Sequence, residues 1–215
     1  KKKMTLPILY SFRRCPYAMR ARMALILASK KCELREILLK NKPEEMLKIS
    51  SKGTVPVLQF QDRVLDESLD IISWAMESDA PSVHIYSEAE ELLSLKLIQL
   101  FDSNFKYHLD RYKYSSRYDV DPKEHQQECK TILENLEAEI NPSPWIFGKQ
   151  ISLLDISILP FIRQCKIANP NWFFAQNFSK LIDLLNYFEN SKLFDQAMQK
   201  YELWDPMKNN GNFFP

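Results

Sequence analysis

Residues 6–29 read LPILYSFRRCPYAMRARMALILAS, and a handover inside this stretch decides the fold. Leu6 to Tyr10 is a short apolar run that stops at Ser11 and the pair Arg13-Arg14. From Pro16 to Ser29, Met19, Met23, Ile26 and Leu27 recur at helical spacing. A strand therefore passes into a helix at Cys15-Pro16-Tyr17-Ala18. Proline at the first helical position makes Cys15 the N-cap, its sulfur facing unpaired N–H groups and the positive end of the helix dipole. Both favour thiolate, the reactive form of a thiol. Arg13, Arg14 and Arg20 add positive charge nearby. The competing reading is a structural cysteine packed as a small hydrophobe, against which the polar Ser11–Arg14 loop and the proline both argue.

Outward from this junction, strand and helix alternate to about residue 80. Leu34 to Leu39 reads as a second strand, and Pro43-Glu44-Glu45 opens a short helix with proline at an early position. Val57 to Phe60 and Val64-Leu65 form a hairpin around Gln61-Asp62, and Ser68 to Glu77 is a helix. The order β-α-β-α-β-β-α predicts a mixed four-strand sheet with a right-handed crossover. After a linker at Asp79-Ala80-Pro81-Ser82 only helical periodicity remains: Glu88–Tyr107, Pro122–Ile140, Leu153–Ala168, Phe178–Glu189 and Leu193–Gln199. The expected organisation is an α/β domain over residues 1–79 and an all-α domain over 84–215, with Asn209-Asn210-Gly211 in a loosely held tail.

Composition bounds the function. Lys plus Arg (29) balance Asp plus Glu (28), leaving a formal charge of +1, so there is no electrostatic case for nucleic acid or an acidic membrane as partner. The basic, tyrosine-rich run Lys106 to Arg117 reads as a solvated helix end. Lys1-Lys2-Lys3-Met4 lacks the apolar run of a signal peptide behind it, and no window suits a membrane span. The four cysteines form no C-x-x-C pair, which predicts free thiols in a reducing, cytoplasmic setting. His84, His108 and His125 lack metal-ligand spacing, so no metal is expected.

Two further signals accompany Cys15. Thr54-Val55-Pro56-Val57 puts a proline just ahead of a strand, a candidate cis bond whose geometry would expose the Val55 N–H and C=O to a peptide-like ligand. A trans proline at a strand entry is the plainer alternative. Asp66-Glu67-Ser68 opens a helix with Ser68 as its cap, giving donors and an acid suited to an ammonium and carboxylate, or simply a cap. Ala18 at the third position after Cys15 leaves no local thiol to resolve a mixed disulfide. A cycle through Cys15 therefore needs an external thiol, which points to glutathione.

These features, in this order, resemble the thioredoxin-like half of the cytosolic glutathione transferase superfamily. Cys15-Pro16-Tyr17-Ala18-Met19-Arg20 is similar to the motif of the cysteine-type omega class, the dehydroascorbate reductases and the chloride-channel-like proteins. Asn41-Lys42-Pro43-Glu44 resembles an omega-class segment, and Ser152-x-x-Asp155 resembles the family's capping box in the helical domain. The resemblance implies glutathione as co-substrate and a mixed disulfide on Cys15. Tyr17 would flank the thiol, Lys42 would contact the glycyl end, and Val55 before cis-Pro56 would pair with the cysteinyl backbone. Glu67 with Ser68 would hold the γ-glutamyl end. The second substrate would be a small electrophile or disulfide, met by aromatics of the helical domain such as Phe101, Phe105, Tyr107, Tyr112, Tyr114 and Trp172, and a homodimer is possible by analogy. The expected activity is that of a glutathione transferase working by thiol transfer. Conjugation to electrophiles, with Tyr10 or Ser11 as an activating hydroxyl, is the alternative within that class. A non-catalytic binding or regulatory module on the same fold is the alternative outside it.

Overall fold

The computed structural model describes residues 5–78, 80 and 82–215; the Lys1–Met4 segment and the linker positions Asp79 and Pro81 lie outside that set. In chain order the elements are β1 (Ile8–Ser11), α1 (Pro16–Leu27), β2 (Cys32–Glu36), α2 (Glu44–Ile49), β3 (Val57–Phe60), β4 (Arg63–Leu65) and α3 (Ser68–Met76). Helical segments follow: α4 (Glu88–Leu100), a π-helical segment (Phe101–Phe105), α5 (Lys106–Lys113), α6 (Ser115–Tyr118), α7 (Pro122–Glu139), α8 (Leu153–Ala168), α9 (Pro170–Phe174), α10 (Ser179–Glu189) and α11 (Lys192–Ala197). A last strand, β5 (Asn212–Phe214), closes the described chain. Contacts divide the protein into two compact units, residues 1–81 with Ser191–Pro215, and Ser82–Asn190.

The first unit is the expected thioredoxin-like α/β fold with one strand more than the four anticipated. Its sheet runs β4-β3-β1-β2-β5. β1 and β2 are parallel, as a helical crossover requires, while β3 lies antiparallel to β1 and β4 antiparallel to β3. The Gln61-Asp62 turn closes the β3–β4 hairpin, with Gln61 at φ +52°. The fifth strand pairs antiparallel with β2, Cys32 opposite Phe214 and Leu34 opposite Asn212. It draws the chain after Ser191 back to the sheet, whereas the sequence reading ran the helical domain on to 215. Trp204 explains much of that return. Its backbone N–H donates to the Glu36 carbonyl (2.8 Å), its ring meets Tyr10 edge-on at 5.9 Å, and the Arg35 guanidinium lies 4.1 Å from its centre. It belongs to one apolar cluster with Tyr10, Ala18, Ile37, Met46, Val55 and Val57. The Asn209–Gly211 segment is held rather than loose, because Asn210 bonds the Asp205 N–H and the Leu203 carbonyl through its side chain.

The second unit is helical. Ser152 caps α8 and Asp155 returns the bond, completing the capping box read from the sequence. The expected long helix from Glu88 is instead broken by the wide turn at Phe101–Phe105. There the Ser103 hydroxyl donates to the Gln99 carbonyl (2.7 Å), competing for an acceptor of the regular ladder. No described helix is long and apolar enough to cross a membrane.

Candidate active site

Cys15 sits where the sequence put it, at the N-cap of α1 in an extended conformation (φ −72°, ψ 124°), with Pro16 as the first helical residue. Its sulfur does not cap the helix; it is directed across the sheet end, donating to the Val55 carbonyl at 3.7 Å, 40 residues away. Its own N–H donates to the Phe12 carbonyl at 3.0 Å, which tightens the loop between β1 and α1. Cys15 is half-buried and packs on the edge of the apolar cluster, while Cys32, Cys129 and Cys165 are fully buried and all four are free. Burial pushes the Cys32 thiol up to about 12. The Cys129 thiol is raised by its hydrogen bond with Cys165 and then by burial. Such thiols are inert by comparison with a low-lying, accessible one.

The Val55-Pro56 peptide is cis, and Val55 and Pro56 are buried at the entry to β3. Lys42 is brought to the same loop. Gly53 adopts φ +64°, and a Cβ placed there would stand 3.4 Å from the Lys42 Nζ. Only a residue tolerant of the left-handed region lets the turn form with the lysine laid over it.

At the start of α3 the structure corrects one detail. Ser68 is the first helical residue, Glu67 is the N-cap, and neither side chain caps. The Ser68 hydroxyl instead accepts from the Arg20 guanidinium (3.3 Å), which is fully buried and lies 5.3 Å from the Tyr17 ring centre. Tyr17, Arg20 and Ser68 thus tie α1 to α3. Glu67 is exposed and bonded to Lys52, a residue the sequence reading passed over because an isolated lysine in a loop carries no pattern. Lys52 also pairs with Asp66 at 3.3 Å. The Ser50 hydroxyl donates to Asp66 at 2.7 Å and, with Lys52, holds that carboxyl below its usual range. Acid and base therefore stand side by side at this helix start.

The two hydroxyls nominated as alternative activators are engaged in the interior. Tyr10 accepts from Arg35 (2.9 Å) and Ser11 from Arg22 (2.7 Å), and both residues are buried. Among the described residues no three His, Cys, Asp or Glu side chains converge as metal ligands.

Comparison with known proteins shows what the chain is similar to. Residues 9–82 match the family model of the glutathione S-transferase N-terminal domain. Glutathione S-transferase DHAR3, chloroplastic, of Arabidopsis thaliana is 27% identical over 155 residues, covering 72% of this chain and 56% of its own length. Glutathione S-transferase L2, chloroplastic, of the same plant is 28% identical over 200 residues, covering 91% of this chain. The chain spans 64% of that relative's length. The crystal structure of glutathione transferase Omega 3C from Trametes versicolor shares the fold, with a TM-score of 0.75 at 18% identity over 92% of this chain and 90% of the other. Over residues 9–82 the chain is therefore similar to the glutathione S-transferase N-terminal domain, and the relatives that it matches over most of its length are named as glutathione S-transferases.

Proposed function

We propose that this protein is a glutathione-dependent thiol transferase in which Cys15 is the catalytic thiol. The observation that carries the reading is the contrast among its cysteines: Cys15 alone is half-buried at a helix start beside Val55, and the other three are sealed in the core. In the cycle, the Cys15 thiolate attacks the glutathionyl sulfur of a mixed disulfide, forming Cys15–S–SG and releasing the substrate as thiolate, which takes up a proton. A glutathione thiolate then attacks Cys15–S–SG, giving oxidised glutathione and regenerating the Cys15 thiolate. A small oxidant such as dehydroascorbate enters by its own first step: the Cys15 thiolate adds to a carbonyl carbon, a glutathione thiolate attacks the Cys15 sulfur and expels the protonated ene-diol, leaving Cys15–S–SG, and a second glutathione regenerates Cys15 as oxidised glutathione departs.

In the binding roles, Val55 meets the cysteinyl backbone of glutathione and Lys42 its glycyl carboxylate. Ser68, held by Arg20, receives the γ-glutamyl carboxylate, and Glu67 the ammonium, with Lys52 and Asp66 completing that end. The inward-turned Tyr10 and Ser11 hydroxyls support thiol exchange over conjugation, because no hydroxyl from β1 is left to activate glutathione's own sulfur. A reducing compartment, the cytoplasm in the simplest case, suits free thiols, and a homodimer is the expected assembly.

Treatment with oxidised glutathione followed by peptide mass spectrometry tests the assignment. A glutathionyl adduct on Cys15 alone, with loss of glutathione-dependent reduction of a small mixed disulfide in Cys15→Ala, is expected. Reduction that survives Cys15→Ala refutes it.

A further inference from the structure

Arg22 lies seven residues beyond Cys15, two turns along α1, and its side chain is 1% exposed. A guanidinium is kept in an interior only where its donors find acceptors. Here Nε donates to the Ala197 carbonyl (2.7 Å). One terminal nitrogen donates to the Ser11 hydroxyl (2.7 Å) and the Phe12 carbonyl (3.3 Å), and the other to the Arg13 carbonyl (2.5 Å). The Met198 sulfur lies 3.8 Å from the second nitrogen. Residue 13 is gripped from its other side as well, since its N–H donates to the carboxylate of Glu36 (2.7 Å), itself only 7% exposed.

The loop that presents Cys15 is therefore clamped between a buried cation and a buried carboxylate. The link to the thiol residue is short: the Phe12 carbonyl that accepts from Arg22 also accepts the Cys15 N–H. Burial pulls Arg22 down to about 10, and the charges of Glu36 and then of the Cys15 thiolate oppose that fall. The attraction is mutual, so the cation that a thiolate stabilises also stabilises the thiolate.

We propose that Arg22 is a positioning residue for Cys15, fixing residues 11–13 and favouring the Cys15 thiolate, with the Ala197 carbonyl making the C-terminal segment a working part of the site. Its functional meaning rests on the thiol-transferase reading, but the test does not. Wild type, Arg22→Met and Arg22→Lys are compared in the rate of Cys15 carboxamidomethylation by iodoacetamide between pH 5 and 9, with circular dichroism and thermal unfolding run in parallel. The midpoint of the rate profile in Arg22→Met is expected to rise by about one pH unit, roughly tenfold slower alkylation below the midpoint. Arg22→Lys keeps the charge, but one ammonium nitrogen cannot stand in both places from which the two terminal guanidinium nitrogens reach the loop, so its midpoint is expected between the two. A folded Arg22→Lys with the wild-type profile overturns the proposal even if Arg22→Met fails to fold. A fall in melting temperature with an unchanged midpoint marks a merely structural role and overturns it too. If wild type forms no glutathione adduct, the proposed activity fails while the alkylation comparison still decides the role of Arg22.

Discussion

The Asp155 carboxylate offers a sharp test of how the second unit is held together. It is fully buried, with one oxygen accepting from the Ser152 N–H (2.8 Å) and hydroxyl (2.7 Å) and the other from the Ile146 N–H (3.1 Å). Asp155→Ala strips three donors of their acceptor. The Ser152 hydroxyl can turn elsewhere, but the two backbone N–H groups cannot, and at about 1–3 kcal/mol for each orphaned buried donor the expected loss is about 3–4 kcal/mol. The pH dependence is equally specific. Burial, opposed by the Ser152 and Ile146 bonds, raises the carboxyl from 3.8 to about 6. A group whose folded value is raised contributes stability in full below 3.8 and loses it as pH rises through about 6. At about 1.36 kcal/mol per unit, the shift amounts to about 3 kcal/mol in total, of which roughly half is recovered between pH 7 and pH 5. Urea unfolding of wild type and Asp155→Asn at pH 5, 6 and 7 isolates this contribution. The stability difference, wild type minus variant, should grow in favour of wild type as the solution is acidified. A difference that is flat, or that shrinks towards pH 5, refutes the reasoning, as does an Asp155→Ala loss under 1 kcal/mol.

Other consequences are simpler to check. Native protein should take up one iodoacetamide group, at Cys15, and unfolded protein four, one at each free thiol, by intact mass. Gly53→Ala forces a side chain into φ +64° with its Cβ against Leu47 and the Lys42 ammonium. A loss of about 1–2 kcal/mol in denaturant melts is expected, together with weaker glutathione binding by calorimetry as Lys42 is pushed aside. Ser68→Ala removes an acceptor from the buried Arg20. It should cost about 1–2 kcal/mol and lower glutathione affinity while leaving the Cys15 alkylation rate within a factor of about two. Trp204→Ala empties a place beside Tyr10 and Arg35 and should destabilise the first unit by about 3–5 kcal/mol in thermal or urea unfolding.

The features legible in the sequence are those written by neighbours along the chain. Cys15-Pro16 fixes a helix start because proline's ring sets the backbone angle and lacks an N–H. Ser152 and Asp155, three residues apart, must meet across one helical turn. The β-α-β-α-β-β-α order follows from local periodicity, and the Val55-Pro56 position from a proline beside a strand. Ser68 shows the limit of such reasoning: a serine at a helix start reads as a cap, yet a buried guanidinium from another helix claims its hydroxyl. β5 shows it again. Asn212-Phe213-Phe214 is too short to announce a strand, and it forms one because the outer edge of β2 offers unpaired backbone groups. Trp204 and Ala197, remote in sequence from the N-terminal part of the first unit, are drawn to it by the apolar cluster around Tyr10 and by the donors of Arg22.

By itself, then, the sequence determined that a lone thiol stands at a helix start on an α/β domain followed by helices, since each of those facts depends on residues within a turn or two of one another. Tertiary structure alone decided what surrounds that thiol: which carbonyl faces its sulfur, which serine serves Arg20, and which buried cation grips its loop. Those choices belong to contacts between groups 10 to 175 residues apart, and they are made only when burial forces each charge and each polar group to find a partner.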